Sequence, residues 1–334
     1  MKILITGNLF HGYDNDIYQA ILQEGHNVDF LFHNIQGPFN NISSLHKKLI
    51  YGILPNKIGV NYFEKLSIEK FNEDLLKIYN SNSFDLVIII GGKTIYESTL
   101  EKIKTIKVFW LMDGINFFPK LKNTLKHYDY LFLFEPTDLK IIKELVNHNN
   151  VFNLNLGFST SRFFNQKITD KKYDFSFIGS YYENREKLIS NLLKKNTNGI
   201  IIGDFNKTKN KLIKKINIKT QIPVDQTNTI YNTSKININS HHIQSIEGLN
   251  VRTYEVMGSG GVQLVENKKI AQNYFHDGEH CIFYSSNEEF IDKYNFYIEK
   301  PYILDKIREK AYENAIVHHT WNERIKEMLQ IVNL

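Results

Sequence analysis

The chain has 334 residues, 42% apolar and 13% aromatic, enough to bury the cores of two ordinary domains and too much for wholesale disorder. A net charge of +5 is mild, no nucleic-acid recognition module is visible, and a nucleic-acid partner is not expected. The single cysteine, Cys281, excludes an internal disulfide and a paired-cysteine metal site.

The chain opens on Lys2–Thr6, which reads as a buried strand and not as a signal peptide. No later segment approaches the ~20 apolar residues of a membrane span, so a cytoplasmic protein is expected. Asp14–Glu24 has helical apolar spacing and stops at Gly25. Asn27–Phe32 follows as a strand. Residues 45–58 mix lysines with apolar side chains; most such stretches are solvated surface, and peripheral contact with an anionic membrane is the minority expectation here. Ser67–Tyr79 reads as a helix. Phe84–Ile90, Ile106–Met112 and Tyr128–Phe134 are continuous apolar strands, and Asp138–Val146 is a helix before a last strand, Val151–Leu154. Unbroken apolar strands between helices indicate a parallel sheet covered on both faces.

Gly157–Gln166 lacks periodicity and reads as a linker, after which the pattern restarts. Phe175–Ile178 is a strand, Asn184–Lys195 a helix, Gly199–Gly203 a strand, Asn228–Thr233 a helix and Ile236–Asn239 a short strand. Strands near Gly261–Val265 and Cys281–Tyr284 precede two helices, Leu304–Val317 and Trp321–Val332. The expected architecture is α/β: a first Rossmann-like domain over residues 1–158, a second over 170–316, and a terminal helix within 317–334 returning toward the first. Ligands of such sheets bind beyond the carboxyl ends of the strands.

The densest motif is Glu247-Gly-Leu-Asn-Val-Arg-Thr-Tyr-Glu255, followed by a glycine cluster. It places two carboxylates and an arginine around the start of a helix, where free backbone N–H groups and partial positive charge hold phosphate. A carboxylate on the same helix accepts hydrogen bonds from sugar hydroxyls. Diphosphate beside ribose is the shared handle of nucleotide-activated sugars, which makes a nucleotide sugar the expected ligand.

Several pieces occur in a fixed order. They are Lys172–Arg185, Ser234–Asn239, Gly248–Glu255, Gly260–Val262, Tyr274–His280 and His319–Arg324. Together they resemble the C-terminal domain of the CgeB-like group of glycosyltransferases. Val108–Asp113 resembles a strand end in that group's first domain. The resemblance implies a GT-B fold: two Rossmann-like parallel-sheet domains facing across a cleft, the second binding the donor and the first an acceptor that is a glycan, lipid-linked or a protein. It implies no cofactor and no metal, since basic side chains and a helix N-terminus neutralise the leaving diphosphate. Retaining relatives carry two glutamates eight positions apart, the second holding ribose and the first near the donor sugar; Glu247 and Glu255 have that spacing.

The donor-side candidates are Gly179, Ser180, Arg185, Gly203, His241, Gly248, Asn250, Arg252 and Glu255. Asn250 is a good N-cap with or without a ligand. Arg252 lies three residues before Glu255, so both diphosphate contact and an intrahelical pair are open to it. Arg185 either faces the phosphates or is an ordinary helix arginine. His241 is placed near the ligand, and no ligand partner at metal spacing accompanies it. The catalytic candidates are Glu247, Asp113 and His11. Asp113 ends a buried strand, where packing gives no reason for an aspartate. An inverting reaction needs a general base, for which Asp113, Asp14 or His11 would serve; retention needs mainly stabilisation of the departing diphosphate. Two rivals remain on this fold, a nucleotide-sugar epimerase and a non-catalytic sugar-nucleotide-binding protein.

Overall fold

The structure, a computed structural model, describes residues 1–9, 12–34, 56–193, 198–218, 222–242 and 245–333, with backbone alone for 56–63 and 218. The chain divides into two compact units, Met1–Leu154 with Ile325–Leu334, and Asn155–Arg324.

The first unit runs β1 (Lys2–Asn8), α1 (Tyr13–Gln23), β2 (Asn27–His33), α2 (Asn56–Asn80), β3 (Leu86–Ile90), α3 (Glu97–Leu100) and β4 (Ile106–Leu111). Three short 3-10 turns lead to β5 (Tyr130–Leu133), then α4 (Leu139–Val146) and β6 (Val151–Asn153). The six strands form one sheet in the order β2-β1-β3-β4-β5-β6, every pairing parallel. Parallel pairing explains the unbroken apolar runs: both faces are covered, and all five residues of β3 are buried. On one face Val87, Ile89, Phe109 and Leu111 share a cluster with Phe71 and Leu75 of α2.

The second unit repeats the design with β7 (Tyr173–Ile178), α5 (Glu183–Leu193), β8 (Gly199–Ile202), α6 (Lys211–Ile216), β9 (Asn217–Ile218), α7 (Val224–Thr233) and β10 (Ser234–Asn239). It continues with α8 (Val251–Gly258), β11 (Gln263–Glu266), β12 (Ile282–Tyr284), α9 (Asn287–Ile298) and α10 (Pro301–His318). The sheet order is β12-β11-β10-β7-β8-β9, again all parallel. Phe175, Phe177, Ile236 and Ile238 pack with Leu188 and Ile189 of α5 and with Phe290 and Tyr294 of α9. The last helix, α11 (Trp321–Val332), begins in the second unit, and its residues from Ile325 onward belong to the first.

Three readings of the sequence change here. Gly157–Gln166 is not a loose linker: Phe158 N donates to His319 O, Trp321 N to Phe158 O, and Gln166 N to Asn232 Oδ1, all within the second unit. The helix expected from Ser67 begins at Asn56. The sequence reading passed over α9 and α6. For α9 a capping signal was present: Ser286 Oγ accepts from Glu289 N at 3.1 Å, and Glu289 Oε2 accepts from Ser285 N at 2.7 Å. The lysine-rich α6 offers little apolar periodicity, and Ile213 is its one buried residue. The stretch 45–55 and the side chains of 56–58 lie outside the described residues, so the membrane-contact expectation has no structural counterpart. No described helix is long and apolar enough to cross a membrane.

Candidate functional site

In the second sheet the chain runs outward from β7 to β8 and β9, then returns to the other side of β7 with β10. The gap beyond the carboxyl ends of β7 and β10 is therefore the topological switch point, where open parallel sheets bind ligands. Gly179 follows β7, and Ser240 and His241 follow β10. Gly179 N donates to Ile202 O at 2.8 Å, drawing the ends of β7 and β8 together. A Cβ on Gly203 would lie 2.1 Å from Gly179 O at φ +133°, so only glycine permits that approach. A Cβ on Gly179 would lie 3.1 Å from Arg252 Nη2 and 3.5 Å from Arg185 Nη1. Two guanidinium groups thus gather at this glycine.

Arg185 is buried on α5, which removes the reading of an ordinary surface arginine. Its Nη1 donates to Ser180 O at 2.9 Å and its Nη2 to Ser240 O at 2.7 Å, tying the two strand ends together. The guanidinium lies 4.8 Å from the Tyr182 ring centre and 5.6 Å from that of Phe177. Burial first, then the neighbouring Arg252 charge, lowers its pKa to about 10, still charged at neutral pH. Ser180 itself is exposed and contributes its carbonyl.

Asn250 caps α8, its Oδ1 accepting from Thr253 N at 3.1 Å. The cap belongs to a buried polar network. Asn250 Nδ2 donates to Asn239 Oδ1 at 2.9 Å, and Asn239 Nδ2 donates to Thr253 Oγ1 and Gln263 Oε1, each at 3.1 Å. Gln263 Nε2 then donates to Thr253 O at 2.9 Å. Asn239 and Gln263 are fully buried, so the network fixes where the N-terminus of α8 sits against β10 and β11.

His241 is buried at that N-terminus. Its backbone N donates to Glu266 Oε2 at 3.1 Å, and its Nδ1 accepts from Asn250 N at 3.3 Å. Burial lowers its pKa to about 3, helped by the charges of Lys268, Arg252 and Arg185, so the ring is neutral. With Nδ1 accepting, the proton resides on Nε2.

Glu255 is buried on α8, and both it and Arg252 act on the hydroxyl of Tyr231, whose pKa burial pushes up. Gly248 is buried in the turn before the cap. Glu247 is half-buried, with Oε2 accepting from Ile270 N at 3.2 Å, so it also holds the following 3-10 turn. Gly258 packs beneath Phe158, where a Cβ would lie 2.1 Å from the ring.

The first unit has its own switch point, between β1 and β3. Asn8 ends β1, its Oδ1 accepting from Lys93 N at 2.9 Å and its Nδ2 donating to Thr94 Oγ1 at 2.8 Å. Lys93 Nζ donates to Asp113 Oδ2 at 2.9 Å and lies 3.5 Å from the Phe118 ring centre. Asp113 is buried just past β4, and Asp14 is buried in the first turn of α1. The ion pair gives Asp113 a structural partner that the sequence did not disclose. His11 lies outside the described residues.

Among the described residues one group has the donor types for a metal ion, Glu97, Glu101 and His127. It lies in the first unit, and Glu97 Oε1 is already held by His127 Nε2 at 2.8 Å and Lys126 Nζ at 2.9 Å.

The second unit therefore brings Gly179, Gly203, Arg185, Arg252, His241 and Asn250 together at one switch point. Sequence reading missed Asn239, Gln263, Tyr231, Glu266 and Lys268. The first two left a trace: an asparagine or glutamine inside an apolar strand has no packing reason to be there.

The chain resembles known proteins in sequence and in fold. A profile for glycosyl transferase-like proteins matches residues 160–330, just over half of the chain. No curated protein matches. Among solved structures, sucrose-phosphate synthase from Thermosynechococcus elongatus aligns over 100% of this chain and 98% of its own, with a TM-score of 0.67 and 10% identity. A glycosyltransferase from Rickettsia africae aligns over 99% of this chain and 97% of its own, with a TM-score of 0.65 and 15% identity. Anabaena HepE in complex with UDP and glucose aligns over 99% of each, with a TM-score of 0.62 and 13% identity. The two parallel-sheet units are those of the GT-B fold, and the chain belongs to the glycosyl transferase-like family.

Proposed function

We propose that this protein moves a sugar from a nucleoside-diphosphate sugar to a glycan, lipid-linked or protein acceptor, with retention of configuration and without a metal. The observation that carries this reading is the convergence at the second unit's switch point. Two guanidinium groups meet at Gly179, and the capped N-terminus of α8 stands beside them. Departure of a nucleoside diphosphate leaves new negative charge on its terminal phosphate. Fixed positive groups in a partly dry site stabilise that charge without reorganising. The same groups can do the work a divalent cation does elsewhere, which favours metal independence. HepE's complexes with UDP and with UDP-glucose give the donor class further support.

Within this reading Arg185 and Arg252 hold the diphosphate, while Glu255 accepts from the ribose hydroxyls. Glu247 stands near the transferred sugar, and Asp113, set by Lys93, acts on the acceptor side. The deciding experiment is a thermal-shift panel of UDP, GDP, CDP, ADP and TDP, with and without magnesium. At ~100 times its dissociation constant a ligand stabilises the native state by ~2.7 kcal/mol. The expected result is a selective shift with one diphosphate, unchanged by magnesium. No shift with any of the five would count against the donor site, and a shift only with magnesium would remove the metal-free mechanism.

A further inference from the structure

The ring of His241 carries a donor without an acceptor among the described residues. Its Nδ1 is occupied by Asn250 N–H, which fixes the proton on Nε2, yet Nε2 has no partner among the described residues. The residue is only 4% exposed. Arg185 repeats the pattern one hydrogen bond away. Its Nη2 is bonded to Ser240 O at 2.7 Å, and its buried Nε has no partner among the described residues. A buried unmet donor is costly, and these two lie on segments joined by the Arg185–Ser240 hydrogen bond.

The surroundings specify the missing acceptor. Arg185 and Arg252 face the ring from α5 and α8, and Lys268 faces it from the turn after β11. The carboxylate of Glu266 is taken up by His241 N and by Lys268 Nζ at 3.3 Å. Both charged-end bonds of Arg185 go to neutral carbonyls. An acceptor placed there meets positive charge from three elements and a helix N-terminus besides, which selects an anion.

We propose that His241 Nε2–H is the hydrogen-bond donor that recognises the terminal phosphate of the nucleoside diphosphate. The inference rests on the donor-site reading and assigns one contact within it. The ring acts as a neutral, directional donor beside two permanent cations. A protonated imidazole would lose Nδ1 as the acceptor for Asn250 and loosen the cap of α8. The lowered pKa of the ring fits that requirement, keeping one tautomer through the physiological range.

Two substitutions separate the donor from the structural acceptor. In His241→Asn the side-chain oxygen still reaches Asn250 N–H, and nothing occupies the position of Nε2. In His241→Gln an amide N–H reaches that far position. Titration calorimetry with the five nucleoside diphosphates identifies the one that binds the wild type, and its monophosphate serves as the control. The expected result is a loss of about tenfold or more in diphosphate affinity for H241N, with monophosphate affinity unchanged and much of the loss recovered in H241Q. Diphosphate affinity unchanged in H241N overturns the assignment and leaves the donor site standing. A wild type that binds none of the five overturns the donor-site reading, and the assignment with it. Should H241N fail to fold, 15N-histidine spectra of the wild type decide the matter. The diphosphate, and not the monophosphate, is expected to shift the His241 Nε2–H resonance; identical spectra overturn the proposal.

Discussion

Residue by residue, the second unit buries polar and charged side chains around its switch point, among them Arg185, Asn239, His241 and Glu255. Glu255 is 6% exposed on a helix whose other inward residues are mostly apolar. Glu255→Ala is expected to leave the unfolding temperature within a few degrees and to weaken nucleoside-diphosphate affinity about tenfold, read by calorimetry. Unchanged affinity would take it out of the site. Buried histidines also set an acid limit. His241 and His319 are both held neutral with pKa values of about 3, the first chiefly by burial and the second by burial and the Arg324 charge. In the unfolded chain each titrates near its ordinary value of 6.5. Below that value the unfolded state takes up protons that the folded state refuses. Their contribution to stability is therefore complete above about pH 6.5 and falls toward pH 3, by up to about 1.4 kcal/mol per pH unit for each. Denaturant midpoints between pH 7 and 5 should decline less steeply in His319→Gln than in the wild type; equal slopes would refute the assignment.

At the scale of elements, glycines control how closely the ends of β7 and β8 approach. Gly203→Ala places a methyl 2.1 Å from Gly179 O at φ +133°, against backbone that cannot step aside. A loss of more than about 2 kcal/mol is expected. Gly25→Ala is the control: φ is +82°, and nothing among the described residues lies within 4 Å of the added methyl. That change carries only the conformational cost, about 1 kcal/mol. Denaturant unfolding of the pair measures the crowding alone, and equal losses would show that the strand ends are not held by contact. The α8 cap illustrates the same scale differently. The motif suggested Asn250 as an N-cap by itself; in the structure the cap is one member of a network with Asn239, Thr253 and Gln263. Those partners lie on separate strands and a helix, and no local sequence window contains them.

For the whole molecule, the last helix matters beyond its length. Ile325, Met328, Leu329 and Val332 are all buried, and they belong to the unit made otherwise of Met1–Leu154. Lys326 Nζ also lies 3.8 Å from Glu24 Oε1. Truncation after Arg324 is expected to destabilise the first unit by on the order of 5 kcal/mol, from the apolar surface uncovered. Denaturant unfolding followed in that unit checks this, and an unchanged midpoint would mean the helix adds no stability there.

Periodicity pointed most directly to the first parallel sheet, because a strand buried on both faces reads as an unbroken apolar run, as Leu86–Ile90 does, whereas β10 of the second sheet buries Asn237 and Asn239 as well. Local chemistry determined the α8 cap, since an N-cap reaches only three residues along the chain. Only the tertiary structure decided that Arg185 is buried and joins Arg252 at Gly179, that Asp113 pairs with Lys93, and that one ring nitrogen of His241 has no acceptor among the described residues. Lys93 and Asp113, 20 residues apart, and Gly179 and Arg252, 73 apart, meet only at the strand ends of a parallel sheet. Spacing along the chain carries no record of such meetings, which arise from the order in which the strands pair.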